Sequence, residues 1–153
     1  MRDNLIQLAF WSFVLLFGAA LEELMPKFFG VGFPVLLVAV QLVACGRVPI
    51  ALSVALAVGA GALEDALSGL PPMTTASYFV LVVVLVRGFG FPRAAAALTY
   101  PCYQLWLSIW AGGLGGSIYV RLLLSLPIGL LTAAAVGILV TWLNGKAAID
   151  EQG

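Results

Sequence analysis

The run ALSVALAVGAGALEDALSGLPP, residues 51–72, carries the reading of the whole chain. Ala51, Ala55 and Gly59, and again Ala57 and Gly61, recur at a spacing of four. On a helix that spacing stacks small side chains in a stripe and lets another backbone come close. The run then breaks into Glu64-Asp65, Ser68-Gly69 and Pro71-Pro72. A carboxylate at or inside a membrane edge is costly enough that a functional role is its default reading, with a solvated helix end as the plain alternative. The stretch predicts a packed central helix closed by an acidic turn.

Working outward, 63% of the 153 residues are hydrophobic and 9% are charged, with a mean hydropathy of +1.12. Soluble domains run near 45–50% apolar and about 25% charged. The expectation is an all-α integral membrane protein, a single bundle of six transmembrane helices with five as the alternative. Approximate spans are 5–24, 31–46, 49–64, 73–87, 94–111 and 118–143. A span needs about 20 residues, so six with short connections use nearly the whole chain. Residues 5–24 end in Glu22-Glu23 rather than a small-residue cleavage site, which reads as a retained first span. Spans two and four are short, at fourteen apolar-run residues each.

There is no histidine. That removes the commonest general base and leaves no Ser-His or Cys-His pair to activate a nucleophile. No catalytic residue, cofactor or metal site is expected, and nothing points to a nucleic-acid partner. Cys45 and Cys102 read as small core residues. Gln41 and Gln104, inside apolar runs, should hydrogen-bond across helices. Tyr100, Tyr103, Trp106 and Trp110 form an aromatic stripe suited to packing or lipid contact. Pro101 and Pro127 should bend their helices. The tail 144–153 reads as frayed.

The segment GAGALEDALSGLPPMT, residues 59–74, resembles the motif of the MreD family of bacterial rod-shape-determining membrane proteins, roughly G-x-x-x-D-x-x-S-G-x-P-x-G before an apolar helix. Gly61, Asp65, Ser68, Gly69 and Pro71 or Pro72 match. The family's glycine after the proline is absent, with Met73-Thr74 in its place, and Glu64 replaces a customary apolar residue. The resemblance implies a non-enzymatic scaffold of the cell-elongation, peptidoglycan-synthesising complex in the bacterial inner membrane. Its implied partners are MreC, a bitopic protein, together with MreB filaments, a RodA-type glycosyltransferase and a class B penicillin-binding transpeptidase. The family also resembles in fold the substrate-binding subunits of energy-coupling-factor transporters, which supplies a second reading as a vitamin-binding subunit. Gly61, Asp65, Ser68, Gly69, Pro71 and Pro72 are the expected centre. There Asp65 would accept backbone N–H groups freed where the helix breaks, and Ser68 would cap the next turn.

With both termini in the cytoplasm, the inner segments hold Arg2, Arg47, Arg87, Arg93 and Lys146, and the outer ones Lys27 and Arg121. That division follows the positive-inside rule and leaves Glu22, Glu23, Glu64 and Asp65 on an acidic outer rim. A cysteine introduced within 112–116 should therefore react with an impermeant reagent in intact cells, and one within 87–93 should not. The reverse pattern would invert the topology.

Overall fold

The computed structural model describes residues 2–25, 27, 31–46, 48–89, 93–110 and 117–150, with the side chains of 2–4, 93–95, 117 and 143–150 left aside. Six helices follow in chain order: α1 (Arg2–Leu24), α2 (Val35–Cys45), α3 (Ile50–Ser68), α4 (Thr74–Phe89), α5 (Arg93–Trp110) and α6 (Ser117–Asp150). No strand pairs with these helices among the described residues. The stretches 5–24, 50–68 and 118–142, in α1, α3 and α6, are long and apolar enough to cross a membrane. The Pro26 boundary, the Arg47 loop, the loop tip at 90–92 and the hairpin at 112–116 lie outside the described residues.

The central helix is α2, not α3. Its eleven residues bury Leu36, Leu37, Val38, Ala39, Val40, Gln41, Val43 and Ala44, and it touches α1, α3, α4 and α6. A helix apolar all round is at home only when other helices surround it. By contrast, α3 divides its small residues between two environments. Ala57 and Gly61 are buried, whereas Ala51, Ala55 and Gly59 are exposed. Two residues of offset turn a helix by about 200°, so the two stripes face opposite ways.

The buried stripe determines the α3–α4 hairpin. A Cβ placed on Gly61 would overlap Cα and N of Ala76 in α4. A second such approach joins α5 to α6, where a Cβ on Gly129 would overlap the carbonyl oxygen of Ala97. Ala97 lies four residues before Pro101, whose ring removes the N–H that would otherwise bond that carbonyl. The Gly129 Cα–H therefore faces the orphaned oxygen, a weak hydrogen bond that only glycine permits.

Several sequence expectations change. Glu64 and Asp65 are not in a turn: α3 continues to Ser68 and stops at Gly69, whose φ of 64° is left-handed. Glu, Ala and Leu favour helix, so the acids alone do not end it. Leu70 N–H returns to the Asp65 carbonyl at 3.0 Å, closing the end in the Schellman manner. Residues 144–150 continue α6 rather than fraying. Cys45 and Cys102 are exposed, not core, because each falls on an outward face of its helix.

Gly61→Leu should destabilise the protein by about 1–3 kcal/mol or prevent folding, since the clash is with backbone. Gly59→Leu, at a position with open space around it, should leave thermal unfolding in detergent nearly unchanged.

Candidate functional site

Two carboxylates cap two helices. A helix start exposes N–H groups without intrahelical partners, and in a low-dielectric interior each must be satisfied by something else. Asp65, 3% exposed, lies in α3, and its Oδ1 accepts the Thr75 N–H in the first turn of α4 at 2.8 Å. Glu22 does the same from α1: its Oε2 accepts the Leu36 N–H in the first turn of α2 at 2.8 Å. Each charge also sits at the positive end of the helix it caps. In both cases a glycine lies one turn earlier on the capping helix. Gly18 is in van der Waals reach of Val35, and Gly61 lies against Thr75 and Ala76. The pattern glycine, three residues, acid thus occurs at 18–22 and 61–65, with backbone pressed against the glycine only at Gly61 and ordinary side-chain contact at Gly18.

The α4 start is built from further parts. Met73 has φ 68°, the left-handed region that favours glycine. Thr74 N–H bonds the Pro71 carbonyl at 3.2 Å and its hydroxyl bonds the same oxygen at 2.8 Å. Ser68, expected to cap this turn, does not. It is exposed and donates to Glu64 Oε1 at 2.9 Å. The reason is distance along the chain: Ser68 belongs to the last turn of α3, where residue 64 is its nearest acceptor one turn back. Gly61, Asp65, Ser68, Gly69, Pro71 and Pro72 are therefore brought together in one α3–α4 connection, with only Gly61 and Asp65 buried among them.

Helix α5 ties the two starts to each other. Tyr100 Oη donates to the Gly32 carbonyl at 2.6 Å and accepts its N–H at 3.2 Å, holding the approach to α2. Tyr103 Oη meets Thr75 Oγ1 at 3.2 Å, and Trp106 Nε1 donates to the Thr74 carbonyl at 2.8 Å, holding the start of α4. The aromatic stripe is thus hydrogen-bonded as well as packed, with Trp110 alone exposed. Gln41 Nε2 donates to Thr99 Oγ1 across α2 and α5, and Gln104 is buried in α5.

Between these groups lies a cavity of about 150 Å³ lined by Glu22, Glu64, Ser68, Tyr100, Tyr103 and Gln104, with Lys27 also at its wall. The expected acidic rim is largely absent. Of the four acids only Glu23 is exposed, paired with Lys27 at 3.3 Å. Glu64 is 6% exposed and Asp65 is deeper still. At the opposite end, Arg87 lies within α4 rather than in a loop. Its Nη2 donates to the carbonyls of Val48 at 2.7 Å and Gly46 at 2.8 Å, just past the end of α2. Among the described residues no group of three or more His, Cys, Asp or Glu side chains is placed to hold a metal ion.

The roles of Glu22, Tyr100 and Tyr103 were not read from the sequence. The repeated glycine-to-acid spacing is the signal that was available. Comparison of the chain with protein-family models, curated proteins and solved structures gives no match.

Asp65→Ala should leave the Thr75 N–H unpaired at a cost of about 1–3 kcal/mol. Its amide hydrogen exchange should accelerate, and that of Leu36 should not; Glu22→Ala should do the reverse. Asp65→Asn, which keeps an acceptor oxygen, should preserve most of the protection. Met73→Gly should raise stability by up to about 1 kcal/mol, because a side chain at positive φ is strained. Little packing is lost, as Met73 is 55% exposed.

Proposed function

We propose that this chain is a non-enzymatic scaffold subunit of the MreD type in the bacterial cytoplasmic membrane. Its six helices all cross and both termini are cytoplasmic. It receives the single transmembrane helix of an MreC-like partner and links it to MreB filaments, a RodA-type glycosyltransferase and a class B transpeptidase. The observation that carries the reading is the exposed stripe Ala51, Ala55 and Gly59. With Leu8, Ser12, Leu15 and Leu16 of α1, the last two of these line a groove of about 420 Å³ between α1 and α3. Nothing lies within 4 Å of the Cβ position at Gly59. Small residues on a membrane-facing surface allow a second helix to approach closely, where van der Waals contact is the main attraction available.

One further observation supports the family reading. Position 73, where the family motif has glycine, carries positive φ in this chain despite being methionine. Helix α2, at eleven residues, is only about 17 Å long against a hydrocarbon core of about 30 Å. Such a short crossing is tolerable because protein groups satisfy both its ends, Glu22 at one and Arg87 beyond the other.

The transporter reading is weaker on size. Pockets for drug-sized ligands run about 300–1,000 Å³, and the polar cavity, at about 150 Å³, is half the lower bound. The absence of histidine and of a nucleophile–base pair favours binding over turnover.

Co-purification of the bitopic partner at matched membrane levels tests the proposal. Gly59→Leu should reduce partner recovery severalfold and disturb rod shape, whereas Gly137→Leu, on the open face of α6, should not. Asp65→Ala should also reduce recovery by misplacing α4. Full recovery with Gly59→Leu would remove the groove as the docking site.

A further inference from the structure

We propose that Arg87, together with the first turn of α3, binds a phosphate group at the end of the bundle opposite the carboxylate caps. The inference is independent of which partner occupies the α1–α3 groove and of which side of the membrane this end faces.

The two helices that start at the other end are capped from within the protein, α2 by Glu22 and α4 by Asp65. Helix α3 starts differently. Its N-cap is Pro49, with no side-chain cap, and the N–H groups of Ile50, Ala51 and Leu52 find no acceptor among the described residues. The side chain anchored there is a cation. Arg87 Nη2 donates to the Val48 carbonyl at 2.7 Å and to Ser53 Oγ at 3.3 Å, so the guanidinium bridges the residues on either side of those N–H groups. A helix start already carries partial positive charge, and a guanidinium against it adds to that charge.

No carboxylate offsets the two. Among the described residues the one ion pair joins Lys27 to Glu23, at the opposite end. Nor does Arg87 exhaust its donors. Its hydrogen bonds all leave from Nη2. Nε is sealed in the protein without a partner, whereas Nη1 makes no bond and is not sealed. The open donors are therefore Nη1 and the α3 N–H groups, which an oxyanion complements.

Two sources offer a phosphate, a phospholipid headgroup and a free phosphate ion, and the surroundings favour the lipid. Ile50 opens α3 and Phe89 lies two residues beyond Arg87, and they are 57% and 83% exposed. These side chains suit acyl chains, which a free ion lacks. Arg47 precedes α3 and Arg93 opens α5, which favours a lipid of net negative charge.

The test uses the full chain in dodecyl maltoside, with amide hydrogen exchange read at Ile50, Ala51 and Leu52. Phosphatidylglycerol, inorganic phosphate and diacylglycerol are titrated in separate arms. Phosphatidylglycerol should slow exchange at the three residues saturably and leave the already capped Leu36 and Thr75 unchanged. Slowing by inorganic phosphate at similar concentration would identify the free ion as the source. Binding of phosphatidylglycerol, counted by native mass spectrometry, should weaken about tenfold or more in Arg87→Gln, which loses the charge-assisted contact. Arg121→Gln, at the opposite end, should leave it unchanged. The exchange measurement on the unsubstituted chain decides even where Arg87→Gln fails to fold. No slowing by phosphatidylglycerol or phosphate, equal slowing by diacylglycerol, which has no phosphate, or full binding by Arg87→Gln would each overturn the proposal.

Discussion

The structure depends on the bond that the Thr75 N–H donates to the Asp65 carboxylate. A helix beginning inside an apolar bundle has no water to satisfy its first N–H groups, and each one left unpaired costs several kcal/mol in hydrocarbon, a few kcal/mol or less if partly wet. Sequence-local caps are the usual solution, but the residue before α4 is Met73 and the one before α2 is Pro34, neither of which has a side-chain acceptor. The acceptor comes instead from the preceding helix, which joins secondary structure to tertiary packing in a single contact. Close approach is a precondition, and Gly61 provides it one turn before Asp65.

The α1–α2 and α3–α4 hairpins share the carboxylate cap but not the backbone contact, since Gly18 meets only side chains at ordinary van der Waals distance. Both place an acid at the positive end of the following helix, on the same side of the bundle. The opposite end carries the complementary charge, where Arg87 donates to carbonyls just past α2. Cation and anion therefore sit where the helix dipoles favour them. Helix α5 closes the arrangement, because Tyr100 and Tyr103 are one turn apart and reach the two capped starts separately. The small polar cavity is what remains between the two caps and the α5 tyrosines.

Much of the architecture was legible in the sequence. Apolar runs separated by Gly, Pro and charge located the six helices, but the reading ended α3 at residue 64 and α6 at 143, short of their ends at Ser68 and Asp150. Orientation was not legible. The stripes Ala51–Ala55–Gly59 and Ala57–Gly61 look alike as patterns, and only contact with α4 distinguishes the buried one. A helix apolar on every side has no moment to show which face meets protein, which is also why α2 could not be recognised as the centre. The acids were read as rim charges because their partners, Thr75 and Leu36, lie ten and fourteen residues further on. Ser68 was misassigned for the converse reason, its available partner being behind it rather than ahead.

The central claim is that buried carboxylates, rather than the loops, position the following helices. Spin labels at the exposed positions 67 in α3 and 84 in α4 report this directly as a distance distribution in bilayers. The account predicts a single narrow distribution in the unsubstituted chain and in Asp65→Asn, and a broadened or displaced one in Asp65→Ala. An unchanged narrow distribution in Asp65→Ala would show that the connection 69–73 alone aims α4, and would contradict it.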